Sequence, residues 1–186
     1  MSNVLSLTRS DPAVRWLIQR DLPAVVEIER QTAGYGWTEE DFRTALRSIR
    51  TVGQVAEVND EVVGFVVYNI ARQRRQVEEY AGSEARGPST ARQTRGILCP
   101  PVQIDLLNIG VAPAWQRRGI GRALLGRLEQ KIERGGGCLR AVVPEINLAV
   151  QLFLRQGGYK AVRILRGHFG DRDGYLMARR QARPSR

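Results

Sequence analysis

The chain has few of the residues that build metal sites and covalent cross-links: two cysteines and one histidine in 186 residues. Cys99 and Cys138 stand far apart in sequence, so neither a zinc constellation nor a disulfide framework can be written, and both read as structural thiols. No metal is expected. No apolar run approaches the roughly 18 residues that would span a bilayer. The start, Met1 to Arg9, has no basic segment followed by an apolar stretch and does not read as a secretory signal. A cytoplasmic protein with no membrane partner is the expectation. Lysine is scarce too, with only Lys131 and Lys160, so the net charge of +10 comes almost wholly from arginine. Those arginines are scattered from Arg9 to Arg186 among acids, which argues against a nucleic-acid partner and leaves a small polyphosphate as an attracted ligand.

What is present suffices for one domain and excludes two independent catalytic ones. Hydrophobic residues make up 42%, enough to bury a core. Residues 1–13 and 181–186 read as flexible tails around a domain at 14–180. Val14 to Ile18 reads as a strand, Asp21 as the N-cap of a helix that turns Val25, Val26 and Ile28 inward, and Thr38 with Asp41 as a capping box. The second helix should place Phe42, Leu46 and Ile49 on one stripe. Val52 to Val58 and Glu61 to Ile70 form a hairpin about Asn59-Asp60. A polar insertion at about 71–101 follows, then Val102 to Val111, an apolar run suited to a central strand buried on both faces. Ile120, Leu124, Leu128 and Ile132 recur every four residues in a helix closed by Gly135-Gly136-Gly137. Strands at Leu139 to Val143, Tyr159 to Leu165 and Gly174 to Ala178 complete the pattern, with a helix capped by Asn147 between the first two. The order is that of an α/β (α+β) fold, a mixed and largely antiparallel sheet flanked by helices.

The most specific signal is Gln116-Arg117-Arg118-Gly119-Ile120-Gly121-Arg122, between the buried strand and the amphipathic helix. Two glycines let backbone N–H groups approach a ligand, and the helix start presents unsatisfied donors, which together suit a pyrophosphate. Arg117, Arg118 and Arg122 add charge. The dinucleotide fingerprint would need glycine where Leu124 stands, and the nucleoside-triphosphate loop would need a Gly-Lys-Ser or Gly-Lys-Thr that never occurs.

Leu106-Leu107-Asn108-Ile109-Gly110-Val111 and the run from Trp115 to Leu125 closely resemble motif A of the GNAT superfamily of acetyl-CoA-dependent N-acetyltransferases. Glu61 to Phe65 resembles that family's third strand, and Pro144 to Phe153 with Gly157-Gly158-Tyr159 its motif B. Gly34-Tyr35-Gly36-Trp37-Thr38 resembles the substrate loop of the ribosomal-protein alanine N-acetyltransferase branch. The resemblance implies a sheet with a splayed central strand pair and acetyl-CoA as cosubstrate. It implies that the amides from Arg117 to Arg122, with Gln116 opening the motif, hold the CoA pyrophosphate. It further implies that Ile109, Gly110 and Val111 pair with the pantetheine arm and polarise the acetyl carbonyl, while Asn147 contacts the arm or simply caps its helix. The acceptor implied is a primary amine, foremost a protein or peptide N-terminal α-amine. A small-molecule amine and a non-catalytic acyl-CoA sensor are the alternatives.

The chain departs from the family's pattern at both proton-handling positions. Leu154 stands where a tyrosine commonly protonates the departing thiolate, and Val142 where a glutamate or histidine often serves as base. Asp105 is the candidate replacement: a period of two puts it on the face of Leu107, Ile109 and Val111, and burial in so apolar a run would raise its pKa. The competing reading is a surface ion pair. Trp37, Glu145 and His168 are the candidates for lining the acceptor mouth.

Overall fold

The computed structural model describes residues 12–32, 36–72 and 102–181. The tails expected at 1–13 and 181–186 therefore lie almost wholly outside the described residues, as do most of the 71–101 insertion, Cys99, Gly34 and Tyr35. In chain order the elements are β1 (Ala13–Trp16), α1 (Leu22–Thr32), α2 (Glu39–Leu46), β2 (Thr51–Val58), β3 (Glu61–Arg72), β4 (Val102–Val111), α3 (Ile120–Gly135), β5 (Gly137–Pro144), α4 (Leu148–Gln156), β6 (Lys160–Phe169) and β7 (Arg172–Gln181). Single 3-10 turns at Gln19–Asp21 and Pro113–Trp115 lead into α1 and toward α3.

The sequence's turn residues do what their chemistry allows. Asn59 and Asp60 take φ of 51° and 63°, closing the β2–β3 hairpin in the left-handed pair that asparagine and aspartate tolerate. Thr38 caps α2 reciprocally, its hydroxyl accepting from the Asp41 N–H while Asp41 accepts from the Thr38 N–H. Two expectations need correction. Asp21 caps the 3-10 turn before α1: its Oδ2 accepts the Ile18 N–H at 2.9 Å, and both oxygens take the Arg15 guanidinium, at 2.7 and 3.0 Å. Ile49 is 99% exposed because α2 has already ended at Leu46.

Seven strands form one sheet in the order β1-β2-β3-β4-β5-β7-β6, antiparallel throughout except for the parallel pair β4–β5. Two cores follow from the alternation along the strands. On one face Ile120, Leu124, Leu128 and Ile132 of α3 pack on Ile104, Leu106, Leu139 and Ala141. On the other, Leu22, Val25 and Ile28 of α1 and Phe42 of α2 pack on Val55, Phe65 and Val67. Two features of β4–β5 position the site. The pairing stops at Leu106 opposite Ala141, so the strands splay beyond it. Leu107 is an extra residue opposite the β3 pair Val67/Tyr68, a β-bulge that reverses which face later side chains take. β4 is central, as expected, but not buried on both faces, since Leu107 is 38% exposed.

A charged clamp ties α3 to β7. Glu129, 8% exposed, faces Arg179 Nη1 at 2.8 Å and Arg122 Nη1 at 3.7 Å, and Arg179 also meets Glu133 at 3.6 Å. Arg179→Ala leaves the nearly buried carboxylate with one distant partner and should cost about 2 to 3 kcal/mol. Urea unfolding tests this, and a loss below about 0.5 kcal/mol would place the clamp among weak surface pairs.

Candidate active site

The splay is where chemistry can enter the sheet. Beyond Leu106, β4 keeps its pairing with β3, but its other edge has lost β5, leaving backbone groups of residues 107–111 open to an added strand. Ile109 and Val111 pack toward the α3 core, whereas a Cβ on Gly110 would meet Phe65 at 2.5 Å and Ile28 at 3.3 Å on the α1 side. The glycine is thus demanded by packing at the end of this strand.

Beyond the strand, the chain turns into α3. Gln116 is extended and its Nε2 donates to the Val111 carbonyl at 3.0 Å, tying the loop to the open strand end. Arg117 holds φ of 60°, and Gly119, the α3 N-cap, holds φ of 90°. No side chain caps α3, so the first N–H groups of Ile120, Gly121 and Arg122 face outward with the positive end of the dipole. Gly121 is a different case from Gly119. Its backbone is helical and a Cβ there would make ordinary contacts, 3.4 Å to Phe153 and 3.7 Å to Val111. Neither strain nor packing requires a glycine, which leaves close approach of a ligand as its physical reason.

The charges around this turn are not all where the sequence suggested. Arg118 lies over the Trp115 ring, 5.0 Å from its centroid, and Arg117 is exposed. Arg122 instead runs back along its helix to Glu129, so it offers the turn its amide and not its guanidinium. Asn147 is the N-cap of α4, its Oδ1 accepting the Val150 N–H at 3.2 Å. That leaves its amide NH₂ for a ligand. The Phe153 ring, which the sequence suggested only as a helix residue, packs at Gly121 and Val111 and forms a wall of the cleft.

The residues expected to serve the acceptor have the following contacts. Because of the bulge, Asp105 lies on the face of Gly110, not on that of Ile109 and Val111, which corrects the simple period of two. It is not buried: its side chain is 30% exposed, with Arg140 Nε donating at 2.5 Å and Gln103 Nε2 at 3.0 Å. The burial expected of it is absent. The ion pair in turn raises the Arg140 pKa above its ordinary value. Val142 is on the same face, two residues along β5, and the β6–β7 hairpin folds over it. A Cβ on Gly174 would meet Val142 at 2.8 Å, Phe169 at 3.1 Å and His168 at 3.4 Å. His168 is exposed and meets the Phe169 ring edge-on at 4.9 Å between centroids. Glu145 pins this mouth, its Oε1 accepting the Asp173 N–H at 3.3 Å. Trp37 packs on Phe42 at 5.1 Å between ring centroids, and its main-chain N–H donates to the buried Glu29 at 3.0 Å.

Leu154 is fully buried in the α3-side core, and burial pushes Tyr68 up to about 12 and raises Tyr159 as well. Among the described residues no cluster of ligating side chains could hold a metal ion, and no helix is long and apolar enough to cross a membrane.

A sheet opened between two parallel strands, with an uncapped glycine turn at the start of the helix that follows, defines an acyltransferase of the α/β class. The chain belongs to the acetyltransferase (GNAT) family, whose model matches residues 13–159. It is 36% identical over 88 residues to N-alpha-acetyltransferase RimI of Mycobacterium tuberculosis, a match covering 46% of this chain and 54% of that protein. The chain thus spans about half the length of that relative. It is 24% identical over 155 residues to the [ribosomal protein bS18]-alanine N-acetyltransferase of Escherichia coli, covering 83% of this chain and 84% of the other. The crystal structure of the Escherichia coli ribosomal-protein-S18-alanine N-acetyltransferase superimposes with a TM-score of 0.68 at 22% identity, over 94% of this chain and 96% of that one. Arabidopsis thaliana NAA60, solved in complex with acetyl-CoA, matches at 0.65 and 18% identity, over 91% and 99%. These likenesses establish the fold.

Gly121→Glu puts a carboxylate where the α3 amides point. Calorimetric titration should show CoA affinity reduced at least about a hundredfold, roughly 2.7 kcal/mol, with an unchanged circular-dichroism spectrum. Undiminished uptake would remove this turn from the cofactor site.

Proposed function

We propose that residues 14–180 form a cytoplasmic N-acetyltransferase domain that moves the acetyl group of acetyl-CoA to the α-amine of a polypeptide N-terminus. The observation that carries it is the end of β4–β5 pairing at Leu106/Ala141 beside an uncapped α3. The relatives named for α-amine and ribosomal-protein alanine acetylation support that acceptor class.

The residues present fit the cosubstrate. The amides of Gly119, Ile120, Gly121 and Arg122 serve the diphosphate, with Arg117 and Arg118 beside them, and Gln116 fixes the turn against Val111. The unpaired edge at Ile109, Gly110 and Val111 serves the pantetheine and the carbonyl oxygen. Asn147 NH₂ and the Phe153 ring flank the arm. In the transfer the amine nitrogen bonds to the acetyl carbon, the carbon–sulfur bond breaks, the ammonium gives up a proton and the thiolate takes one.

Asp105 is the chain's carboxylate for that first proton, reached directly or through one water, with Arg140 holding it in place. Trp37, Glu145 and His168 shape the acceptor mouth. No acid is needed for the leaving group: a thiol near 8.5 departs tolerably as thiolate, and an α-amine near 8 is roughly a tenth neutral at pH 7. A lysine side chain near 10.4 is neutral less than about one time in a thousand, so acceptor choice follows from proton state. The apolar residues at Leu154 and Val142 favour a second reading, an acyl-CoA sensor without turnover.

A thiol-release assay with mixed N-terminal peptides separates the two readings, since a sensor binds CoA and consumes no acetyl-CoA. Within the enzyme reading, Asp105→Asn should lower kcat by about 10² or more while leaving CoA affinity unchanged. Equal rates for mutant and wild type between about pH 6 and 9 would take Asp105 out of proton transfer.

A further inference from the structure

Half of the acceptor-side face of the sheet has no helix on it among the described residues. Residues directly opposite one another in the register share a face, so Arg140, Ala178 and Lys160 form one row across β5, β7 and β6. Cys138 with Arg180 forms the neighbouring row on one side, and Val142 with Leu176 and Arg163 the row on the other. The α1-side core draws its strand residues from β2 and β3 and takes none from β5, β6 or β7. α3 covers only the reverse of these strands, through Leu139, Ala141, Val143 and Met177.

The uncovered area carries charge of one sign. Lys160, Arg163 and Arg180 are exposed, and among the described residues none forms an ion pair with a carboxylate. Arg140 is the fourth cation, and among the described residues Asp105 is the single acid facing the group. Lys160 and Arg140 are two strands apart, about 10 Å, so the cations form a compact field. Of the acids at the mouth, Asp173 is paired with Arg166 and held by the Gly167 N–H, while Glu145 accepts only the Asp173 N–H. This field adjoins Val142, where Gly174, His168 and Phe169 of the β6–β7 hairpin close in, so it is continuous with the mouth at which the proposed acceptor amine would enter. Among the described residues these three rows carry no aromatic ring to stack a base, the nearest rings, His168 and Phe169, standing beyond them at Gly174, which disfavours nucleic acid as the occupant.

We infer that Lys160, Arg163 and Arg180 select acceptor polypeptides whose residues just after the reactive amine are acidic. The inference rests on the transferase reading and adds to it the class of N-terminus. Opposite charges across such a surface raise the encounter rate and fix the direction in which the acceptor lies, while a basic segment is repelled.

The test compares three acceptor peptides, Ala-Glu-Glu-Glu, Ala-Gln-Gln-Gln and Ala-Lys-Lys-Lys, by thiol release from acetyl-CoA. The acidic peptide should exceed the basic one about tenfold or more in kcat/KM, through KM, with the ratio shrinking as salt passes about 0.1 M. The double variant K160E/R163E should invert that ratio, and because both peptides are read on one protein preparation, partial misfolding cannot mimic the inversion. Charge-blind turnover, or a ratio unmoved in the variant, would overturn the preference and leave the transferase intact. Charge-blind turnover blocked by a uridine oligonucleotide would overturn it in favour of nucleic acid. No turnover of any peptide by protein that binds CoA would overturn the transferase reading, and the preference with it.

Discussion

The structure depends on a pairing that stops. β4 and β5 run side by side for five residues and then part after Leu106 and Ala141, although both strands continue. Three local facts hold the gap open. The extra residue at Leu107 bends and twists β4 just where pairing ends. β5 is held on its other edge by β7 as far as Pro144 opposite Gly174, so it does not turn back to β4. The β4 end is also held from behind by β3, so it cannot follow β5 away. A sheet normally conceals its hydrogen-bonding groups from solutes; here a length of strand edge is exposed in the middle of the sheet, at the level of the α3 N-terminus. The wedge and the turn are therefore one site, and the elements further out hold its two walls apart.

The main chain carries most of the work at that site. An uncapped helix start, a left-handed glycine before it and an edge without a partner are all backbone features, insensitive to the charge state of any side chain. Side chains act chiefly as struts. Gln116 ties the turn to Val111, Arg122 and Arg179 meet on Glu129, and Gly174 lets the β6–β7 hairpin sit on Val142. This division explains how a family motif can persist in a chain that has replaced both usual proton handlers. The donors proposed to hold the diphosphate are main-chain groups of the turn and do not include Leu154 or Val142.

What could be read from sequence follows the same division. Local, short-range chemistry was legible: the Asn59-Asp60 hairpin, the Thr38–Asp41 box, the four-residue period of α3 and the Asn147 cap all stand as the residues dictate. The glycine turn was legible because left-handed backbone leaves a residue signature. Register was not. A single bulge at Leu107 moved Asp105 to the other face from Ile109 and Val111, and no residue type marks a bulge at a leucine. Long-range partners were equally hidden. The arginine that neutralises Asp105 is 35 residues away, and the Arg122 charge is drawn off by Glu129. Ile49 continued a helical period beyond the point where the helix had ended.

The replacement at Leu154 also bears on what the enzyme can discriminate. The family resemblance implies a tyrosine there that protonates the sulfur; the fully buried Leu154 has no proton to give. With leaving-group protonation passed to solvent, the barrier depends more on how well the amine is delivered and on whether it arrives neutral. Delivery would then fall to the face that Trp37 and His168 are proposed to line, with Phe169 beside His168 at Gly174. Specificity must then come from contacts made away from the reacting atoms, because the reacting atoms have so few side chains near them. Binding energy from remote parts of an acceptor is what can offset the orientation cost at its amine. That assigns weight to the open half of the sheet, since it is the one extended surface continuous with the mouth that the helices leave uncovered among the described residues.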